Sequence, residues 1–273
     1  MEELPANKHS KLLFLQLWGL DTPITALCWA MAYAALLQIT MVSVGPMLLV
    51  AAGTWCWVMG CRLGAAIKSP TAWQADFYRS HIVLLMVLLF SVCMATLWML
   101  FFEVGRHVLD YALIPALFLF LGHWCKASIL RQTGVLLRSI AFAMFCALPA
   151  FYFSFSLSPL HMVTTAPVWY MGILFFLWER ERESLRNQAS DTRTDLFNVG
   201  ALIVLLVSTL IACVTSPMFE RTLCITIAIG AGCLQGFARI AQLLPAPLAL
   251  AISWFTMALP ALLGIILYAP ECW

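Results

Sequence analysis

Apolar residues run along this chain in blocks of about twenty, each ended by proline, glycine or a charged residue. Runs of that length match the thickness of a bilayer core crossed by a helix. Read this way, the pattern predicts nine spans, roughly Thr22 to Val42, Pro46 to Ile67, His81 to Phe102, Val108 to Cys125, Val135 to Leu157, Met162 to Trp178, Leu196 to Thr215, Thr222 to Leu244 and Ala246 to Ala269. Asp21-Thr22-Pro23 reads as a helix N-cap followed by an early proline, which sets the start of the first span. Ahead of it, Lys11 to Leu20 reads as a short interfacial helix with Trp18 at headgroup level. The organisation expected is therefore residues 1–21 as an N-terminal segment on the cytoplasmic side and residues 22–273 as one all-α, nine-helix transmembrane domain.

Composition removes the soluble alternative, since 63% of the residues are hydrophobic and only 10% charged. Met1 to Leu20 lacks a basic n-region, a short apolar core and a small-residue cleavage site, so no cleaved leader is expected. Ten cysteines lie mostly inside apolar runs without a C-x-x-C pair, and read as small buried hydrophobes rather than a metal framework. The five histidines, His9, His81, His107, His123 and His161, are scattered and form no H-E-x-x-H motif. The net charge of +2 carries no basic cluster interleaved with aromatics, so nucleic acid is not an expected partner and membrane lipids are.

The placement of charge says more than its sum. With the N-terminus cytoplasmic, thirteen of the fifteen Lys and Arg residues fall on the inner side, and only Arg106 and Arg221 fall outside. That asymmetry predicts N-in and C-out by the positive-inside rule. The inner connections after spans 2, 4 and 6 are the long ones, so water-facing chemistry is expected at that side. Prolines 115, 149, 167 and 260 fall inside spans and read as kinks. Gly60-x-x-x-Gly64 and Gly232-x-x-x-Gly236 read as helix packing contacts.

Two charged stretches carry candidate chemistry. Trp178 to Arg186 reads W-E-R-E-R-E-S-L-R, three glutamates and three arginines at the end of an apolar run. On a continuing helix Glu179 and Glu183 stack on one face, where their repulsion needs compensation. Arg182 and Arg186 supply it as i,i+3 partners, or a divalent cation does. The second stretch, Trp55 to His81, offers Arg62, Lys68 and Arg79 as anion ligands and Asp76 as its one acid. Arg62 sits within the apolar run, where a charge needs a partner, a cavity or a route to the interface.

Nine spans with charged connections after spans 2 and 6 resemble the UbiA-type superfamily of intramembrane prenyltransferases over nearly the whole chain. The W-E-R-E-R-E run resembles the second acidic motif of that superfamily, with glutamates in place of aspartates. Leu20-Asp21-Thr22 and the W-x-x-x-x-x-C-R-L-x-A pattern from Trp55 to Ala65 resemble a divergent bacterial branch. The resemblance implies a UbiA-like helical bundle in a bacterial inner membrane that moves an isoprenyl group from a prenyl pyrophosphate to an aromatic, quinone-type or lipid acceptor. It further implies Mg²⁺ on Glu179, Glu181 and Glu183, with Arg62, Lys68, Arg79, Lys126 and Arg131 around the pyrophosphate. Trp55, Trp57, Trp169 and Trp178 would line the isoprenoid cavity and face an allylic cation. Cys61 and Ala65 stand where that branch carries aspartates, and a thiol is a poor ligand for a hard cation. A catalytically degenerate lipid- or quinone-binding protein or assembly subunit is the alternative, and a small-molecule transporter a second one that lacks paired broken helices or a buried acid. No residue is singled out as catalytic.

Overall fold

The computed structural model describes residues 10–37, 39, 44–68, 75–103, 106–125, 130–153, 158–187, 192–241 and 243–268. Among these residues every regular element is helical: α1 (Ser10–Leu17), α2 (Asp21–Leu36), α3 (Val44–Lys68), α4 (Ala75–Ser80), α5 (Ile82–Trp98, continued by a π-helical turn at Met99–Glu103), α6 (Arg106–Trp124), α7 (Leu130–Phe153), α8 (Pro159–Thr164), α9 (Ala166–Asn187), α10 (Thr192–Thr215), α11 (Met218–Ala241) and α12 (Ala246–Tyr268). Six of them, α3, α5, α7, α10, α11 and α12, are long and apolar enough to cross a membrane. The protein is an integral membrane protein on that ground. Helix α2, at 16 residues, is about 24 Å long, shorter than a bilayer core.

Burial separates the centre from the lipid-facing rim. In α7, 72% of the span is buried, against 6% in α5 and 17% in α10. The rim helices expose long apolar side chains such as Val83, Phe90 and Trp98 on α5 and Leu196, Leu210 and Val214 on α10, as a surface dissolved in acyl chains requires. Around α7 pack α2, α3, α6 and α9, while α12 closes against α2 and α11. Helix α7 packs through small residues, with Ala141, Ala143, Ala147 and Ala150 fully covered. Small side chains let neighbouring backbones approach, which is the main source of helix association where lipid competes with every apolar contact.

Close approach is made by glycines other than the two spaced pairs. A Cβ on Gly122 of α6 would stand 2.8 Å from the carbonyl oxygen of Gly134 on α7, and one on Gly172 of α9 would meet Ile140 of α7. Gly53 likewise faces Phe145, and Gly230 faces Pro260. By contrast, a Cβ on Gly60, Gly64, Gly232 or Gly236 would meet nothing within 4 Å. The expected packing role of both G-x-x-x-G pairs is therefore corrected: within this chain they face open space.

Two further expectations change. The sixth span is divided at Thr165, whose extended backbone separates α8 from α9. Pro167 then lies in the first turn of α9, where its missing N–H breaks no helical bond, and is not an internal kink. The N-cap of α2 is Leu20, and Asp21 is already helical with its carboxylate turned to another partner.

That partner closes the corner between α1 and α2. Gly19, at φ +67°, ends α1 in a Schellman arrangement, with Leu20 N–H donating to the Leu15 carbonyl and Gly19 N–H to that of Gln16. Side chains cap what remains. Arg62 of α3 donates to the Gln16 carbonyl, the Tyr78 hydroxyl of α4 to that of Leu17 at 2.8 Å, and the Trp55 indole to that of Trp18 at 2.9 Å. Burial pushes the Tyr78 hydroxyl pKa up from 10 and so keeps this donor protonated, although the Arg62 guanidinium pulls the other way. Arg62 also grips both carboxylate oxygens of Asp21, at 3.0 and 2.8 Å. The cation thus sits at the negative end of α1 and the anion at the positive end of α2.

Candidate functional site

One end of the bundle brings together the N-terminal ends of α2 and α7 and the C-terminal halves of α3, α6 and α9. They line a half-open cavity of about 450 Å³. Its described wall is apolar at Trp57, Val58, Val135, Phe142, Phe175 and Trp178, and polar at Thr22, His123, Arg138, Ser139, Glu179 and Arg182. Gly60, Cys56 and Cys61 complete the α3 side. The wall thus presents charged groups and aromatic surface to the same space.

The charges on the wall are held in place. Helix α9 runs nine residues beyond Trp178 to Asn187, so the expected continuation of the helix is present and carries Glu179 and Arg182 to the cavity. Arg182 lies over the Trp178 ring, its guanidinium carbon 5.3 Å from the ring centroid, and its Nη1 is 3.9 Å from Glu179 Oε2. An ion pair at that distance, partly exposed, contributes at most about 1 kcal/mol. Arg138 enters from α7 and donates to the Gly122 carbonyl at 3.1 Å, at the crossing where the two glycines let α6 and α7 touch.

Of the residues singled out from the sequence, Glu179, Trp57 and Trp178 meet at this cavity. Glu181 lies elsewhere on α9, half-buried, and burial pushes its carboxyl up from 4.5 to about 7. The helix backbone includes Glu183 and Lys68, but their side chains lie outside the described residues, as does Lys126 altogether. Arg62 and Trp55 belong to the α1 corner. Trp169 donates to the Val163 carbonyl and packs edge-on against Phe118, away from the cavity. Arg79 and Arg131 are exposed and do not line it.

Arg138, Arg182, His123 and Thr22 were not expected as site residues. Arg138 carried a readable signal, a cation four residues into an apolar span, which in lipid needs a cavity or a partner. Thr22 carried none, because only the packing of α2 against α3 and α7 puts it on the wall.

The described donors alone do not make a site for a resident divalent cation. One described carboxylate faces two guanidiniums, and among the described residues no three His, Cys, Asp or Glu side chains come together. Mg²⁺ prefers an octahedron of oxygens, and the nearby cations repel it. The nine described cysteines are unpaired thiols. Comparison of the chain with protein-family models, with characterised proteins and with solved structures gave no match.

Proposed function

We propose that this chain is a UbiA-like integral membrane protein that holds a prenyl pyrophosphate in the cavity between α3, α7 and α9 and passes its isoprenyl group to an aromatic or lipid acceptor. On this reading nine helices cross a bacterial inner membrane, the N-terminus is cytoplasmic, the C-terminus is outside and the charged rim of the cavity faces the cytoplasm. The observation that carries it is the meeting of Glu179 and Arg182 with Gly60 and Cys61 at one amphipathic cavity. Those are the ends of the second and sixth predicted spans, where the UbiA resemblance puts the diphosphate.

In the transfer, the bond between C1 of the isoprenyl chain and the bridging oxygen breaks, and pyrophosphate leaves with the electron pair. Arg138 and Arg182 stabilise the leaving charge. The faces of Trp57 and Trp178 oppose the allylic cation, excluding water from it. The acceptor's nucleophilic atom bonds to C1 and releases its proton to solvent.

Binding without transfer is the second reading, favoured by Cys61 and Ala65 standing where aspartates are expected and by the single described carboxylate on the wall. Purified protein would be assayed for thermal stabilisation by a non-hydrolysable prenyl diphosphate, and for product formation from allylic prenyl diphosphates and aromatic acceptors. Stabilisation with product supports transfer. Stabilisation without product supports the second reading, and no stabilisation removes both. Gly60→Leu fills a place where a Cβ meets nothing, and its expected effect is loss of stabilisation with the fold intact.

A further inference from the structure

The cavity has the chemistry of an anion site. The Arg182 fork is held over a buried Trp178 ring before any ligand arrives, and a guanidinium so placed matches phosphate oxygens in pairs. Arg138 gives one N–H to the Gly122 carbonyl, out of the five that a guanidinium carries. Glu179 sits at the edge of ion-pair distance from Arg182, as a counter-charge that a stronger anion can displace.

Thr22 supplies an independent observation. A threonine inside a helix returns its hydroxyl to a carbonyl one turn back, as Thr25, Thr54 and Thr209 do at 2.9, 2.7 and 2.8 Å, whereas Thr22, the second residue of α2, has no helical carbonyl there to accept it. Thr22 is 1% exposed, lines the cavity, and has a hydroxyl with no hydrogen-bond partner among the described residues. Leaving a buried hydroxyl unbonded is unfavourable, so its place on the wall points to a ligand atom as partner.

We infer that the cavity binds the anionic head of its ligand directly, through Arg138, Arg182 and the Thr22 hydroxyl, with no divalent cation between protein and ligand. The inference rests on the reading of the cavity as a prenyl pyrophosphate site, and it replaces the metal bridge that the UbiA resemblance implies. It also reverses the role of Glu179, which becomes a competitor of the ligand for Arg182.

The test is binding of a non-hydrolysable prenyl diphosphate to the full-length protein in detergent, measured with excess EDTA and again with Mg²⁺. The expected result is the same affinity within about twofold in both. Arg138→Gln and Arg182→Gln weaken it by about 10- to 100-fold each, and Thr22→Val by about 2- to 10-fold. Glu179→Gln tightens it by about 2- to 5-fold, the sign opposite to that of a metal ligand. Ligand-free melting temperatures and elution profiles identify any variant that has not folded, and Arg182→Lys, which keeps the charge and loses the fork, is the second probe of that position. Binding that vanishes in EDTA, or is abolished by Glu179→Gln, overturns the inference and leaves the proposed function standing. Absence of binding in both conditions overturns the two together.

Discussion

Two arginines near the same end of the bundle have opposite fates. Arg62 is 8% exposed, grips Asp21 through two hydrogen bonds and caps the end of α1 with a third. Arg182 is partly exposed, stacks on Trp178 and holds its carboxylate neighbour at 3.9 Å. Arg62 is consumed by the architecture and Arg182 is presented to a cavity. A cation inside an apolar run therefore does not by itself mark a binding site. What distinguishes the two is the number and quality of bonds each already makes to the protein.

The largest effect should come from breaking the first arrangement. Arg62→Ala leaves Asp21 buried without its counter-charge and is expected to cost about 3–5 kcal/mol of stability, measured by reversible unfolding in mixed micelles. The double variant Arg62→Met with Asp21→Leu removes both charges and should recover most of the loss. If the single variant were as stable as the parent, Arg62 would be as uncommitted as Arg182 and the contrast would disappear.

A smaller effect tests the packing beneath Arg138. Gly122→Ala puts a Cβ 2.8 Å from the Gly134 carbonyl oxygen and should cost about 1–3 kcal/mol, with a lowered melting temperature as the readout. Gly236→Ala, where the added methyl meets nothing, should be neutral or slightly stabilising by helix propensity. A destabilised Gly236→Ala would restore the packing role expected of its spaced pair.

The mildest effect separates Glu181 from Glu179 on the same helix. Because burial raises the Glu181 carboxyl from 4.5 to about 7, folding favours its protonated form. Its contribution is fully present below pH 4.5 and is lost as pH rises through about 7. Glu181→Gln should flatten the fall in melting temperature across that window and raise it slightly at pH 8 or above. An unchanged profile would show that burial does not raise the Glu181 carboxyl.

Much of the fold was legible from spacing alone. Six of the nine expected spans, the second, third, fifth, seventh, eighth and ninth, coincide with helices long and apolar enough to cross a membrane, because bilayer thickness and helical rise together set the length of an apolar run. The site was legible only where sequence neighbours share a face. Glu179 and Trp178 were reached by continuing one helix past its apolar run. Trp55 and Trp57 are two apart, so they point to different sides of α3, and nothing in the sequence says which side faces the cavity. Asp21 and Arg62 are 41 residues apart, and their pairing needs the α2–α3 packing before it can be seen. The glycine pairs misled for a related reason, since spacing identifies a smooth strip on a helix but not whether another helix lies on it.

The Trp254 indole on α12 donates to the Asp21 carbonyl at 2.5 Å, a bond that reaches across 233 residues. During synthesis the N-terminal corner can acquire its contacts from α3 and α4 while the remaining helices are still being made. Its last bond waits until α12 has left the ribosome and inserted beside α2. A nascent chain arrested before residue 254 would therefore leave the corner between α1 and α2 only partly secured, its remaining hydrogen bond supplied from a helix made more than two hundred residues later.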